Sequence, residues 1–257
     1  MPLQRLTIAI LVCGMVSIGS AQENPAAPGE WGSIEGQFVL DGPYAPELLF
    51  AQGESQVKDS AICASVDMPD ESLVLHPETK GIANIFVYLQ IAPDRIHPDL
   101  LAIPAKAVLT TKGCRFVPHC GILRAGQILN VKNEDAASHN AHFSPLKSIV
   151  PGSITQPDNP AGIDHRFGLP ETLPMRVVCD IHNWMNGYWT VLDHPYATVT
   201  DKDGKFKIEN LPAGEHSFRV WQERCGYVNR EYKVKVVAGQ TTTLAVEKVP
   251  AAKLATK

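Results

Sequence analysis

The chain has little positive charge to offer: 23 Lys and Arg stand against 27 Asp and Glu, a formal net charge of −4, and no run of five basic residues occurs. Binding along a nucleic-acid backbone needs clustered cations, so nucleic acid is excluded as a partner. After residue 21 no apolar stretch approaches the ~20 residues that a bilayer span requires, so no membrane span is expected in the mature chain. Long amphipathic helices are also missing. Instead, 20 prolines and 19 glycines punctuate short alternating segments, which predicts an all-β chain and excludes a helical bundle. At 257 residues, 44% hydrophobic and 19% charged, there is enough chain for two small domains.

Near the N-terminus, the single basic residue Arg5 precedes an apolar run from Leu6 to Ile18, followed by small residues ending at Ala21. That pattern predicts a secretory signal peptide over residues 1–21, cleaved after Ala21, and a periplasmic or secreted protein. The apolar run is too short for a membrane anchor, and Val12 occupies the position where a lipoprotein signal around Cys13 wants a small residue. Loss of Arg5 takes the formal charge from −4 to −5. Loss of Cys13 leaves Cys63, Cys114, Cys120, Cys179 and Cys225, an odd number in a compartment that favours pairing, so one thiol has another task.

Several stretches read as strands. GSIEGQFVLDG places Ile34, Phe38 and Leu40 on one face and ends on the turn pair Asp41-Gly42. NIFVYLQ, residues 84–90, alternates Ile85, Val87 and Leu89 against Phe86 and Tyr88. Downstream, ATVTDKDGKFKIENLPAGEHSFRVW runs strand, Asp203-Gly204 hairpin, strand, turn and strand, and YKVKVVAGQTTTLAV adds two more. Gly32–Gly36 and Thr200–Val220 resemble the two halves of the carboxypeptidase-regulatory-like sandwich, a transthyretin-like module also classed with carbohydrate-binding-like folds. The halves lie far apart in sequence. This implies a discontinuous sandwich over 31–101 and 194–250 with residues 102–193 inserted, a linker at 22–30 and a tail at 251–257. Two domains in tandem is the alternative.

Within the inserted stretch, VVCDIHNWMNGYW (177–189) packs a thiol, an imidazole and a thioether into seven positions: Cys179, His182 and Met185. Cys179 ends the strand-like MRVV, and the next strand begins near Tyr188, so a short loop can turn all three toward one point. Upstream, ILNVKN leads to His139 and His142. Electron-transfer copper takes two imidazoles and a thiolate in a trigonal plane with a weak axial thioether. Methionine is a poor zinc ligand, so Met185 argues for copper. Taken singly, Cys179 reads as a disulfide partner, Met185 as core filling and His182 as a surface residue. Residues 108–192 together resemble a cupredoxin of the amicyanin and plastocyanin-like type, with His-Asn-x-His-Phe upstream and Cys-x2-His-x2-Met downstream. That resemblance implies a Greek-key sandwich and one type 1 copper on His139, Cys179, His182 and Met185, with His142 as the rival to His139. It also implies that Asn140 braces the ligand loops through hydrogen bonds, as groups behind a metal's ligands do. His97, His119, His194 and His216 read as structural, and His76 and His165 carry no signal.

A single buried copper serves electron transfer. The His-x-His and Cys-His pairs that add further copper in multicopper oxidases and copper nitrite reductases do not occur, so no enzymatic activity is expected. The expected partners are redox proteins, such as a c-type cytochrome or a dehydrogenase, docking where Ile181 and Trp184 flank an outward edge of His182. A cell-surface or carbohydrate-binding module that takes a glycan and in which copper is auxiliary is the alternative. Copper storage would call for clustered Met and Cys, whereas beyond residue 21 only Met68, Met175 and Met185 are present. With Cys179 assigned to copper, the other four cysteines are expected to form two disulfides. Three pairings are open, of which Cys63–Cys114 with Cys120–Cys225 would staple the insert to its host.

Overall fold

A computed structural model describes residues 30–150 and 152–255, so the expected signal peptide and all but the last residue of the linker lie outside the described residues. Among the described residues the regular structure is almost wholly strand, arranged as two β-sandwiches. Among the described residues no helix is long and apolar enough to cross a membrane.

In the first sandwich, Trp31–Asp41 is the central strand of one sheet. It pairs antiparallel with Lys205–Pro212 and parallel with Thr241–Thr243 and Glu247–Pro250. The facing sheet runs Ala197–Val199, Phe86–Leu89, Gly214–Gln222, Gly226–Val236. Ile34, Phe38 and Leu40 point inward and meet Val87, Leu89, Phe206, Ile208, Phe218 and Val220 in one core. Period-two burial of these positions is what the alternating pattern dictates. The Asp203-Gly204 turn closes against this core: Gly204 has φ +74°, and a Cβ there would come within 2.4 Å of the Phe38 carbonyl. Residues 251–254 form one helical turn that buries Leu254 in the same core.

The second sandwich lies between Leu89 and Ala197 in the sequence. Its five-stranded sheet is ordered Ser153–Thr155, His139–Phe143, Met175–Val178, Asn186–Leu192, Cys120–Arg124. Its four-stranded sheet is ordered Asn159–Arg166, Ile128–Asn133, Lys106–Thr111, Phe116–Val117. Leu109, Leu123, Val131, Phe143, Val177 and Trp189 are buried between the two sheets.

The strand Phe86–Leu89 is buried on both faces. Val87 and Leu89 face the first core, while Phe86 and Tyr88 turn outward onto Cys120, Leu192 and Trp221. That second face is the seam between the sandwiches, which explains why both alternating sets in NIFVYLQ are apolar.

One segment departs from the expected boundaries. Residues 48–69 were expected in the first sandwich, yet they lie on the second as a strap. Leu48–Phe50 pairs with Met68–Pro69, a single helical turn spans Ser60–Cys63, and Cys63 and Met68 are buried in the second core. A disulfide between Cys63 and Cys114, with Cα atoms 5.3 Å apart, fixes the strap there. The second expected disulfide is not formed, and Cys120, Cys179 and Cys225 are free. Cys120 is buried in the seam, whereas Cys225 packs against the first core.

Candidate metal centre

Three neighbouring strands of the five-stranded sheet deliver the site. His139 opens its strand, Cys179 follows Val178 at the end of Met175–Val178, and Met185 immediately precedes Asn186–Leu192. The pairing Val178 with His142 and Val177 with Phe143 brings the start of one strand to the end of the next. The loop between Cys179 and Met185 is closed by its own backbone: Cys179 N donates to the Met185 carbonyl at 3.1 Å, and Met185 N donates to the His182 carbonyl at 3.0 Å.

His139, Cys179 and His182 come together, with one donor atom from each within 4.8 Å of the others. The two Nδ1 atoms lie 3.0 Å apart, and Cys179 Sγ is 3.8 Å from His182 Nδ1. Both histidines have no exposed surface, and Met185 is buried on the same loop. His142, by contrast, is exposed, with Nδ1 3.2 Å from the Asp180 carboxylate.

Asn140 ties the two ligand segments together. Its amide N donates to Cys179 Sγ at 3.5 Å, its Nδ2 donates to Asp180 Oδ2 at 2.7 Å, and its Oδ1 accepts from Asp180 N at 2.6 Å. Sulfur as an acceptor from backbone N–H favours the thiolate.

Two carboxylates complete the surroundings. His139 Nε2 is 3.0 Å from Asp135 Oδ2, and His182 Nε2 is 2.9 Å from Asp59 Oδ2. Each carboxylate is placed to accept an Nε2–H, the tautomer in which Nδ1 would be free to bind a metal. Asp135 is itself held by the Gly113 amide at 2.6 Å and the Cys114 amide at 2.9 Å.

The electrostatics follow from these contacts. Burial pushes the Cys179 thiol up, but hydrogen bonds from His139, His182 and the Asn140 amide outweigh it and bring its pKa down to about 5. The sulfur is then a thiolate at neutral pH. Burial works against a charged His139, yet Asp135 and Cys179 raise its pKa to about 9. Burial also opposes ionisation of Asp135, and hydrogen bonds from His139 and the Cys114 and Gly113 amides still hold it below the usual carboxylate range. Two imidazoles and a thiolate whose donor atoms lie within 4.8 Å of one another are a donor set that fits copper.

The outward edge expected for His182 is absent, because Asp59 from the strap occupies it. Trp184 is half-buried: its ring meets Phe50 edge-on at 5.0 Å and lies 5.1 Å from the His182 ring, and its Nε1 donates to the Cys114 carbonyl at 3.2 Å. Ile181 is likewise half-buried. Neither carboxylate was identified from the sequence. Asp135, four residues before His139, could have been sought as a partner for that ring, whereas nothing local marks Asp59, which is 123 residues from His182.

No protein-family model and no curated protein matches the chain. Among solved structures, it is similar to a reduced variant of amicyanin at 16% identity and TM-score 0.30, over 35% of this chain and 86% of that one. A second reduced amicyanin variant gives 14% identity and TM-score 0.30, over 41% and 97%. A Cu-containing nitrite reductase from Thermus scotoductus SA-01 gives 18% identity and TM-score 0.30, over 39% of this chain and 27% of that one.

Proposed function

We propose that this chain is an exported, non-enzymatic carrier of single electrons with one type 1 copper held by His139, Cys179, His182 and Met185. The observation that carries the reading is the convergence of two buried Nδ1 atoms, 3.0 Å apart, with the Cys179 sulfur 3.8 Å from one of them. Bound copper would supply a one-electron couple. The protein's part is to hold the donors still, and the closed loop, the Asn140–Asp180 pair and the two carboxylates do that. His139, Cys179 and His182 are each at most 2% exposed, so no substrate reaches them directly, which supports electron transfer over catalysis.

Electrons pass to and from redox proteins, such as a c-type cytochrome or a dehydrogenase, by brief docking. An open groove beside the site is lined by Leu49, Phe50 and Val57 of the strap and by Ile181 and Trp184, with charged and amide side chains such as Lys58, Asp180 and Asn183 among them. A surface of mixed apolar and polar groups suits the small contacts of transient redox encounters. In this reading the first sandwich is a carboxypeptidase-regulatory-like module that carries the copper sandwich between its strands.

The test is the visible spectrum of copper-loaded protein, with Cys179→Ser as its partner. Thiolate-to-copper charge transfer should give an intense band at the red end in the parent, at one copper per chain, and the variant should lose it while keeping its fold. Copper bound without that band, or a band that survives Cys179→Ser, would overturn the assignment.

A further inference from the structure

We propose that Asp59, delivered by the disulfide-fixed strap, is the positioning residue of the copper ligand His182 and lowers the reduction potential of the centre. This inference rests on the copper reading above.

Asp59 stands at the N-cap of the turn Ser60–Cys63, where an aspartate carboxylate ordinarily accepts from its own helix amides. Here it makes no such bond. Its backbone sits in the left-handed region, φ 54° and ψ 39°, a conformation with a cost for a residue other than glycine. Its Oδ2 reaches His182 Nε2 at 2.9 Å instead. A side chain that forgoes its local cap for a fully buried ring far away in sequence is serving that ring.

The staple then links the two histidine supports. Four residues after Asp59, Cys63 is bonded to Cys114. The Cys114 amide holds Asp135, and Asp135 holds His139. Cys114 Sγ, an Asp135 oxygen and a His139 ring nitrogen lie within 4.8 Å of one another. One covalent bond therefore fixes the segment that sets His182 to the loop that sets His139.

The electronic consequence follows from charge. With the Cys179 thiolate, Asp59 and Asp135 place three negative charges around the centre. An anionic partner on the far nitrogen makes an imidazole a stronger donor. Both effects favour the more highly charged oxidation state of the metal, which is a lower reduction potential.

Asp59→Asn tests this, because it keeps an oxygen acceptor and nearly the same shape while removing the charge. Copper stoichiometry, the charge-transfer band and the reduction potential are measured in parent, Asp59→Asn, Asp59→Ala and Glu54→Gln. Glu54 is an exposed carboxylate of the same strap. Losing a carboxylate behind a metal-bound histidine typically costs 10–100-fold in affinity. Each tenfold lost from the oxidised form alone raises a one-electron potential by about 59 mV. The expected result is a blue Asp59→Asn protein with its potential raised, Asp59→Ala raised further, and Glu54→Gln unchanged. A blue parent whose potential is the same in Asp59→Asn and Asp59→Ala overturns the proposal and leaves the copper reading standing. A rise of equal size in Glu54→Gln also overturns it, since the effect would then be general charge. A parent with no charge-transfer band fails the copper reading itself.

Discussion

Replacing His119 with alanine should loosen the junction between the two sandwiches. His119 belongs to the second sandwich and Glu223 to the first. His119 Nε2 lies 2.7 Å from Glu223 Oε1, and the two side chains are 5% and 6% exposed. His119 Nδ1 lies 4.0 Å from Glu71, which also pairs with Arg115 at 3.1 Å. Truncating one member of a buried pair costs about 3–5 kcal/mol, mostly because the other charge stays buried alone. With both side chains so little exposed, solvent screening offers no large discount. For a chain of this size the loss corresponds to a fall in Tm of roughly 6–20 °C. The pH dependence gives a second signature. Burial disfavours a charged His119, yet hydrogen bonding and Coulombic attraction to Glu223, with help from Glu71 and Asp70, raise its pKa above 6.5. A group whose folded pKa is raised stabilises fully below its unfolded value and loses that contribution as pH climbs through the folded one. The stability difference between parent and variant should therefore be fully present below pH 6.5 and shrink as pH climbs above it through the raised folded value. Urea titrations across that range, with calorimetry as a check, measure it. A loss below about 1 kcal/mol, the value of an exposed pair, or a difference that does not shrink with pH, would refute the reasoning.

Two further outcomes are expected. Alkylation of the unreduced, denatured protein lacking residues 1–21 should find three thiols, Cys120, Cys179 and Cys225, and one disulfide, Cys63–Cys114; peptide mapping that joins Cys120 to Cys225 would contradict the structure. Leu49→Lys, at an exposed position in the groove beside the site, should keep colour and stability but slow electron exchange with a small c-type cytochrome by about tenfold, the equivalent of about 1.4 kcal/mol of docking; an unchanged stopped-flow rate would place the port elsewhere.

How far the chain could be read depended on the range of each signal. Ile34, Phe38 and Leu40 announce their shared inner face because period-two alternation is local to one strand. The seven-residue spacing of Cys179, His182 and Met185 is local in the same sense, as a short loop must bring those side chains together. Phe86 and Tyr88 show the limit of such patterns. Their apolar character was visible, but that they face a second sandwich depends on Cys120 and Leu192, which lie far along the chain. The strap was misplaced for the same reason. Residues 48–69 have few alternating positions, and their location is decided by a covalent bond to Cys114 and by Met68 entering the second core. The free Cys120 records a different failure: an even number of leftover thiols suggested pairing, whereas a buried cysteine also packs as a small apolar residue.

The strand by which the chain leaves the first sandwich and the strand by which it returns are direct neighbours, with Val87 opposite Thr198. The second sandwich thus hangs as a loop closed at its neck and held a second time by the disulfide to the strap. A mechanical load applied at Trp31 and Pro250 enters through the first and last strands of the other sandwich, which run side by side in parallel and resist in shear. The closed neck bypasses the second sandwich, which feels no tension until its host has given way.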